Sequence, residues 1–280
     1  MKLKKLFTVG LSMAMFFSVP AYANEPDAVA VYQEMEARSQ AMTDMNVYYD
    51  YNIDVSDGGT SSSMRMEMNL KANHLQEPDL MKMNIYARMT IGEIVDKSGG
   101  PGAVKEVDLF GQPITYNYYY ENGMYYIDMM GTKVKYPMPL ADMMKEIRSN
   151  TALVNTNLDY MQNLTLRTEG ENRILTYTMD ASQINDLAAQ IMGSMSTMQQ
   201  MPQATESTVN YREISGEYTI NPEGYYTNAK MNLVMDMADS EKEMTMRMSM
   251  DMSLADPGQP VSIETPNLEE YTLVNQNVQQ

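Results

Sequence analysis

Residues 243–254 read E-M-T-M-R-M-S-M-D-M-S-L. Met244, Met246, Met248, Met250, Met252 and Leu254 take every second position, and Thr245, Arg247, Ser249, Asp251 and Ser253 fill the gaps. Successive side chains of a strand point to opposite sheet faces, so a period of two is the strand period. As a strand, this segment has one face of thioethers and one polar face. The pattern recurs at Met64, Met66, Met68 and Leu70, at Met81, Met83, Ile85, Ala87 and Met89, and at Met231, Leu233, Met235 and Met237. Repeated alternation backed by polar residues predicts an antiparallel sheet with one continuous soft apolar face.

Composition agrees with such an interior. The chain has 280 residues, 44% of them apolar, which suffices for a sizeable core. It carries 32 Met and 20 Tyr but only 4 Phe and no Trp, so Met and Tyr must supply most of the burial. The formal net charge of -17 disfavours nucleic acid and anionic membrane surfaces as partners. No Cys is present, which rules out disulfides, thiolate metal sites and a lipid-modified cysteine.

The first residues read as a targeting segment. Lys2, Lys4 and Lys5 precede an apolar run from Leu6 to Val19, and Ala21-Tyr22-Ala23 is a small-residue cleavage site. The expectation is a signal peptide over residues 1–23, cleaved after Ala23, and a secreted or extracytoplasmic product. Residues 24–280 would form a single domain. No later run is long enough to span a bilayer, so stable membrane insertion is not expected.

Pro26 to Met42 predicts a helix, with Pro26 in the first turn and Ala28, Val31, Met35 and Met42 on one face. Val47–Val55 then alternates, and with the two Met-rich segments after it predicts a three-strand meander. Lys97–Gly102 is a Gly-rich loop without the Lys-Ser/Thr ending of a phosphate loop. Shorter strands follow at Val104–Phe110, Ile114–Tyr120, Met124–Met129 and Lys133–Tyr136, with Asn122-Gly123 a strong hairpin signal. Leu140, Met143, Met144 and Ile147 mark an amphipathic helix. Thr151–Met161 reads as irregular. Leu164–Arg167 and Ile174–Met179 form a hairpin. Asp180 or Ser182 caps a further helix with Ile184, Leu187, Ala188, Ile191 and Met192 on its face. A polar loop spans about residues 193–207. Thr208–Ile220, Tyr225–Ala238 and Met244–Leu254 are long closing strands, and a loose tail begins near residue 257, with one more short element near Val261–Ile263. Helices before, within and after strand runs make this an α+β fold. Its sheet, of roughly 11–12 strands, should curl into an open half-barrel with helices packed on the concave face.

Tyr118 to Met138 reads Y-Y-Y-E-N-G-M-Y-Y-I-D-M-M-G-T-K-V-K-Y-P-M. This resembles a segment of an uncharacterised family of secreted Gram-positive proteins and lipoproteins, which is similar to the LolA/LppX lipoprotein-carrier superfamily. The order helix, meander, hairpins, inserted helices and long closing strands is similar as well. The resemblance implies an open half-barrel plugged by helices, with an apolar cavity for acyl chains between sheet and helices. Relatives usually carry a lipobox Cys, and this chain has none, which puts membrane anchoring in doubt but not the fold.

No catalytic constellation is visible, and no enzyme activity or cofactor is expected. His74 is the only imidazole and ends a polar run. Asp142/Glu146 and Glu269-Glu270 read as solvated charges. The tyrosines near 48–51, 116–126 and 225–226 read as amphipathic strand residues, with a sugar-stacking platform or cavity mouth as the sharper reading. The functional reading is binding or carriage of an apolar small molecule or lipid. Candidate lining residues are Met64, Met66, Met68, Met81, Met83, Ile85, Met231, Leu233, Met235, Met244, Met246, Met248, Met250 and Met252. Met143, Ile147, Ile184, Leu187 and Ile191 are the candidate helix cover. One alternative is a structural or stress-related envelope protein whose core is merely Met-rich. A second is Cu(I) binding through M-x-M strands, since thioethers suit soft metals.

Overall fold

The computed structural model describes residues 26–57, 59–77, 79–96, 106–107, 112–138, 157–185, 208–238 and 243–274. The expected signal peptide, Gly-rich loop, Met143–Ile147 helix and 193–207 loop lie outside them, as do Leu187 and Ile191.

The described chain builds one sheet, antiparallel except for its last, parallel edge pair, flanked by few helices, an α+β architecture. Helix α1 spans Pro26–Ala41. Strands β1 (Met45–Ser56), β2 (Thr60–Asn73) and β3 (Lys82–Asp96) form the expected meander. Short strands β4 (Glu106–Val107), β5 (Ile114–Glu121), β6 (Met124–Met129) and β7 (Thr132–Pro137) follow. One turn of helix, α2 (Asn157–Tyr160), precedes β8 (Met161–Glu169) and β9 (Asn172–Met179). A helix α3 starts over residues 181–185. The long strands β10 (Thr208–Ile220), β11 (Tyr226–Ala238) and β12 (Glu243–Leu254) come next, and β13 (Thr272–Leu273) ends the described chain.

The 13-stranded sheet runs β13-β7-β6-β5-β3-β2-β1-β12-β11-β10-β9-β8, with β4 beside β3. It is open, because its two edge strands, β13 and β8, do not pair with each other. Its centre is the union of the first strand with the last long one. β1 pairs β12 in register from Val47↔Leu254 to Ser56↔Thr245. This pairing turns two sequence-distant meanders into one surface. The tight turns follow local chemistry. Asn122 and Gly123 both take positive φ, as do Met130 and Gly131, the backbone that a two-residue hairpin requires.

All inward residues of the long strands share one face. One row reads Ile85–Leu70–Val47–Leu254 across β3, β2, β1 and β12. Two residues further along the strands another reads Ala87–Met68–Tyr49–Met252–Ala229. The opposite face is polar and joined by cross-strand pairs. Arg65 donates to both carboxylate oxygens of Asp50 at 3.0 and 2.7 Å. Thr245 donates to Asp236 at 2.8 Å and Asn228 to Asp251 at 2.6 Å.

Helix α1 lies on the apolar face at the β8–β10 side. Ala28, Tyr32 and Met35 pack with Leu158, Met161, Leu164, Leu175, Tyr177 and Ile220. The spacing 28, 32, 35 is helical, but Tyr32 rather than Val31 carries the central contact. Tyr177 and Tyr218 stack under this helix with ring centroids 5.6 Å apart. Gly216 makes room for them, since a Cβ there would fall within the Tyr177 ring.

Two segments depart from the expectation. Residues 157–160, read as irregular, form α2, and the strand after it begins at Met161, which is buried. The tail read as loose from about 257 is tied down as far as Val274, and its extra strand is Thr272–Leu273 rather than Val261–Ile263. Val261 N–H donates to Asp44 at 2.7 Å, and the Asn73 amide donates to the Val261 carbonyl at 3.2 Å. Lys133 pairs with Glu270. Tyr271 meets Tyr126 edge to face at 5.4 Å, and both bury with Tyr119 on the outer face of β5 and β6. Alternating Tyr in β5 and β6 therefore serves both faces, because the tail covers the outer one there.

Candidate functional site

The apolar face of β3, β2, β1, β12 and β11 is the largest feature that the described residues bring together. Its two ends differ. At one end Val47, Tyr49, Leu70, Ala72, Met83, Ile85 and Leu254 are all buried. Tyr120, Tyr125 and Ile127 from β5 and β6 join the same cluster. Toward the other end of the same strands, Ile53 and Val55 of β1, Met64 and Met66 of β2, and Met89 and Ile91 of β3 are half-buried. Met244, Met246 and Met248 of β12 and Met235 and Met237 of β11 are half-buried too. The face thus runs from a closed end to an open end along every central strand.

The candidate lining residues divide across this gradient. Met81, Met83, Ile85, Leu233 and Met250 are core. Met66, Met68, Met231, Met248 and Met252 pack against that core but stay half-buried. Met64, Met235, Met244 and Met246 lie toward the open end. Of the candidate cover, only Ile184 lies within the described residues, half-buried in α3. The Asp180 carboxylate caps this helix, accepting from the Ser182 and Gln183 amides at 2.9 and 3.4 Å. These bonds, with the Ser182 hydroxyl first, hold the Asp180 carboxyl below the usual carboxylate range.

A β-bulge fastens the helix to the sheet. Between Tyr211 and Glu213 the β10 register slips by one residue. Asn185 satisfies the freed backbone, accepting from Tyr211 N–H at 2.7 Å and donating to the Tyr211 carbonyl at 3.1 Å.

Register decides which methionines are neighbours. Across β11 and β12, Met231 faces Met250, Met235 faces Met246 and Met237 faces Met244. Across β2 and β3, Met66 faces Met89. Directly opposite Cβ atoms lie about 5 Å apart, whereas i and i+2 on one strand lie about 7 Å apart. Met–Met contact is therefore chiefly cross-strand, not within an M-x-M unit.

Sequence reasoning left several wall residues off the candidate set. Tyr49 and Tyr51 stack at 5.8 Å and stand between the β2 and β12 methionines. Met89, Ile91, Ile53 and Val55 complete the open end. The same period-two alternation marks all of them. Burial pushes the Tyr49 phenol up to about 12 and that of Tyr51 higher still. Both are neutral at ordinary pH, so this wall presents rings and weak dipoles rather than charge.

Among the described residues no group of three or more His, Asp or Glu could hold a metal ion. His74 sits on an exposed turn, 3.5 Å from Glu77. The described residue with a buried carboxylate is Glu36, on α1. No helix among the described residues is long and apolar enough to cross a membrane.

The fold and this face place the chain in a class of open, curved antiparallel sheets with few covering helices. In sequence it belongs to a family of unknown function, DUF6612, whose model matches residues 27–268. No curated protein matches it. Solved structures similar to it include the lipoprotein LppX of Mycobacterium tuberculosis. That match has 10% identity and a TM-score of 0.44, covering 86% of this chain and 100% of LppX. LprF of Mycobacterium bovis matches at 14% identity and a TM-score of 0.38, over 88% and 99% of the two chains. A DUF1329 family protein of Desulfovibrio piger matches at 10% identity and a TM-score of 0.25, over 83% and 95%.

Proposed function

We propose that residues 24–280 form one exported, non-enzymatic domain that binds or carries an apolar ligand of the lipid class on the Met/Tyr face, following removal of a signal peptide after Ala23. The observation that carries this reading is the half-buried open end on five adjacent strands. A contiguous apolar surface left partly accessible is a site for an apolar partner, because its burial is worth about 25 cal/mol per Å². Methionine suits the role. Its unbranched thioether repacks around acyl chains of differing length and branching, where Ile or Val would impose one shape. The polar outer face keeps such a protein soluble while it is loaded. Met143, Ile147, Ile184, Leu187 and Ile191 are the residues proposed to cover the ligand.

The test is native mass spectrometry of protein purified gently from its own envelope, with a polarity-sensitive fluorescent probe titrated into the delipidated protein. Copurified acyl species and probe enhancement are expected. Met66→Gln with Met246→Gln should weaken both, since two amides would have to be desolvated on the open end. Ligand-free protein that leaves the probe unchanged overturns the reading in favour of a purely structural Met-rich core.

A further inference from the structure

Among the registers of the described strands, one block is methionine at all four corners. Met235 faces Met246, and the next inward pair, Met237 and Met244, also face each other. Of the other Met–Met pairs there, Met231 and Met250 are flanked by Leu233 and Ala229, Met66 and Met89 by Ile91 and Ala87, and Met161 and Met179 end the β8–β9 ladder with Gln162 and Thr178 as the next pair. From this block we propose that Met235, Met237, Met244 and Met246 form a binding site for one soft monovalent cation, Cu(I) or Ag(I).

The geometry permits convergence. The four Cβ atoms outline a rectangle of about 5 by 7 Å, so each lies about 4 Å from its centre. The sulfur stands two bonds beyond Cβ on freely rotating carbons. Each can swing inward to meet a single ion held just above the sheet. A pair along one strand cannot surround an ion alone, and one cross-strand pair supplies only two sulfurs.

The chemistry selects the ion. Thioethers are neutral, polarisable donors that favour Cu(I) over hard divalent cations. Of the two carboxylates adjacent in sequence, Asp236 points to the opposite face, where it accepts from Thr245 and pairs with Arg212, and Glu243 is exposed at the start of β12, in the alternation of its polar face. Val55 stands beside Met246 on β1 and Tyr211 beside Met235 on β10, so the shell is apolar and aromatic. All four methionines are half-buried, which leaves an approach for the ion. A thioether has no proton to lose at ordinary pH, so binding should not weaken between pH 7 and pH 5, unlike binding by His or thiolate.

Ag(I) is the probe, because it needs no reductant, and Cu(I) with a competing chelator is the second measurement. One tightly held equivalent is expected. With methyl-labelled methionine, the signals of these four residues should move together in NMR, and Zn(II) should move none. Met235→Leu with Met246→Leu, a pair of near-isosteric swaps that preserve the fold, should abolish the equivalent. Met231→Leu with Met250→Leu should keep it. Absence of binding, binding that survives leucine at all four positions, or shifts confined to other methionines each overturns the proposal. The acyl-ligand reading stands or falls separately, since these leucine variants keep an apolar face.

Discussion

The two ends of one sheet face are built from different side chains. The closed end is filled mainly by Val47, Tyr49, Leu70, Ile85, Tyr120, Tyr125 and Leu254, residues of defined shape, with Met81 and Met83 among them. The open end is lined mainly by Met64, Met66, Met89, Met235, Met237, Met244, Met246 and Met248. Branched and aromatic residues give a single close-packed arrangement, while unbranched thioethers tolerate many. One strand, β12, contains both regimes, from buried Leu254 and Met250 to half-buried Met246 and Met244. The same alternation therefore serves two purposes: uniqueness of structure at one end, adaptability at the other.

This contrast can be broken by measurement. Leu254→Ala should have the largest effect, a loss of about 2–5 kcal/mol in chemical denaturation, because it opens a cavity between Val47 and the neighbouring rows. A loss near zero would mean that the closed end is not closely packed.

Alkaline titration comes next. The Tyr49 phenol is raised by burial from 10.0 to about 12, so its folded form holds the proton more tightly than its unfolded form. Its contribution is fully present below pH 10 and is lost as pH rises from 10 through 12. Two pK units correspond to about 3 kcal/mol. Tyr49→Phe should flatten the stability profile over that window. An unchanged profile would place Tyr49 in water and undo the closed end.

The smallest effect belongs to Met248→Leu, where the loss should stay under about 1.5 kcal/mol, because a half-buried thioether can be replaced by a side chain of similar volume. A loss as large as that at Leu254 would erase the distinction between the ends.

Much of this was legible in the residues. The period-two run at 243–254 identifies β12, its inward face and its polar back without reference to any other part of the chain. The same logic finds β1, β2, β3 and β11, and Asn122-Gly123 finds the β5–β6 hairpin. Other features were hidden because they depend on distant partners. Nothing local in Val47–Val55 says that it pairs with Met246–Leu254 as well as with β2. Val261 to Tyr271 looks loose because its anchors, Asp44, Asn73, Tyr126 and Lys133, come from distant parts of the chain. Tyr32 displaces Val31 at the centre of the α1 contact because the stacked rings of Tyr177 and Tyr218 lie beneath it, and no helical spacing reveals that.

By itself, then, the sequence determined strands, faces and the softness of the interior, since alternation and thioether content are properties of single segments. Tertiary structure alone decided which methionines face each other, which end of the face is closed, and that the tail seals the outer tyrosines. Register is the physical reason. A one-residue slip would send every inward side chain to the opposite face, and the β1–β12 pairing that prevents it joins segments nearly two hundred residues apart.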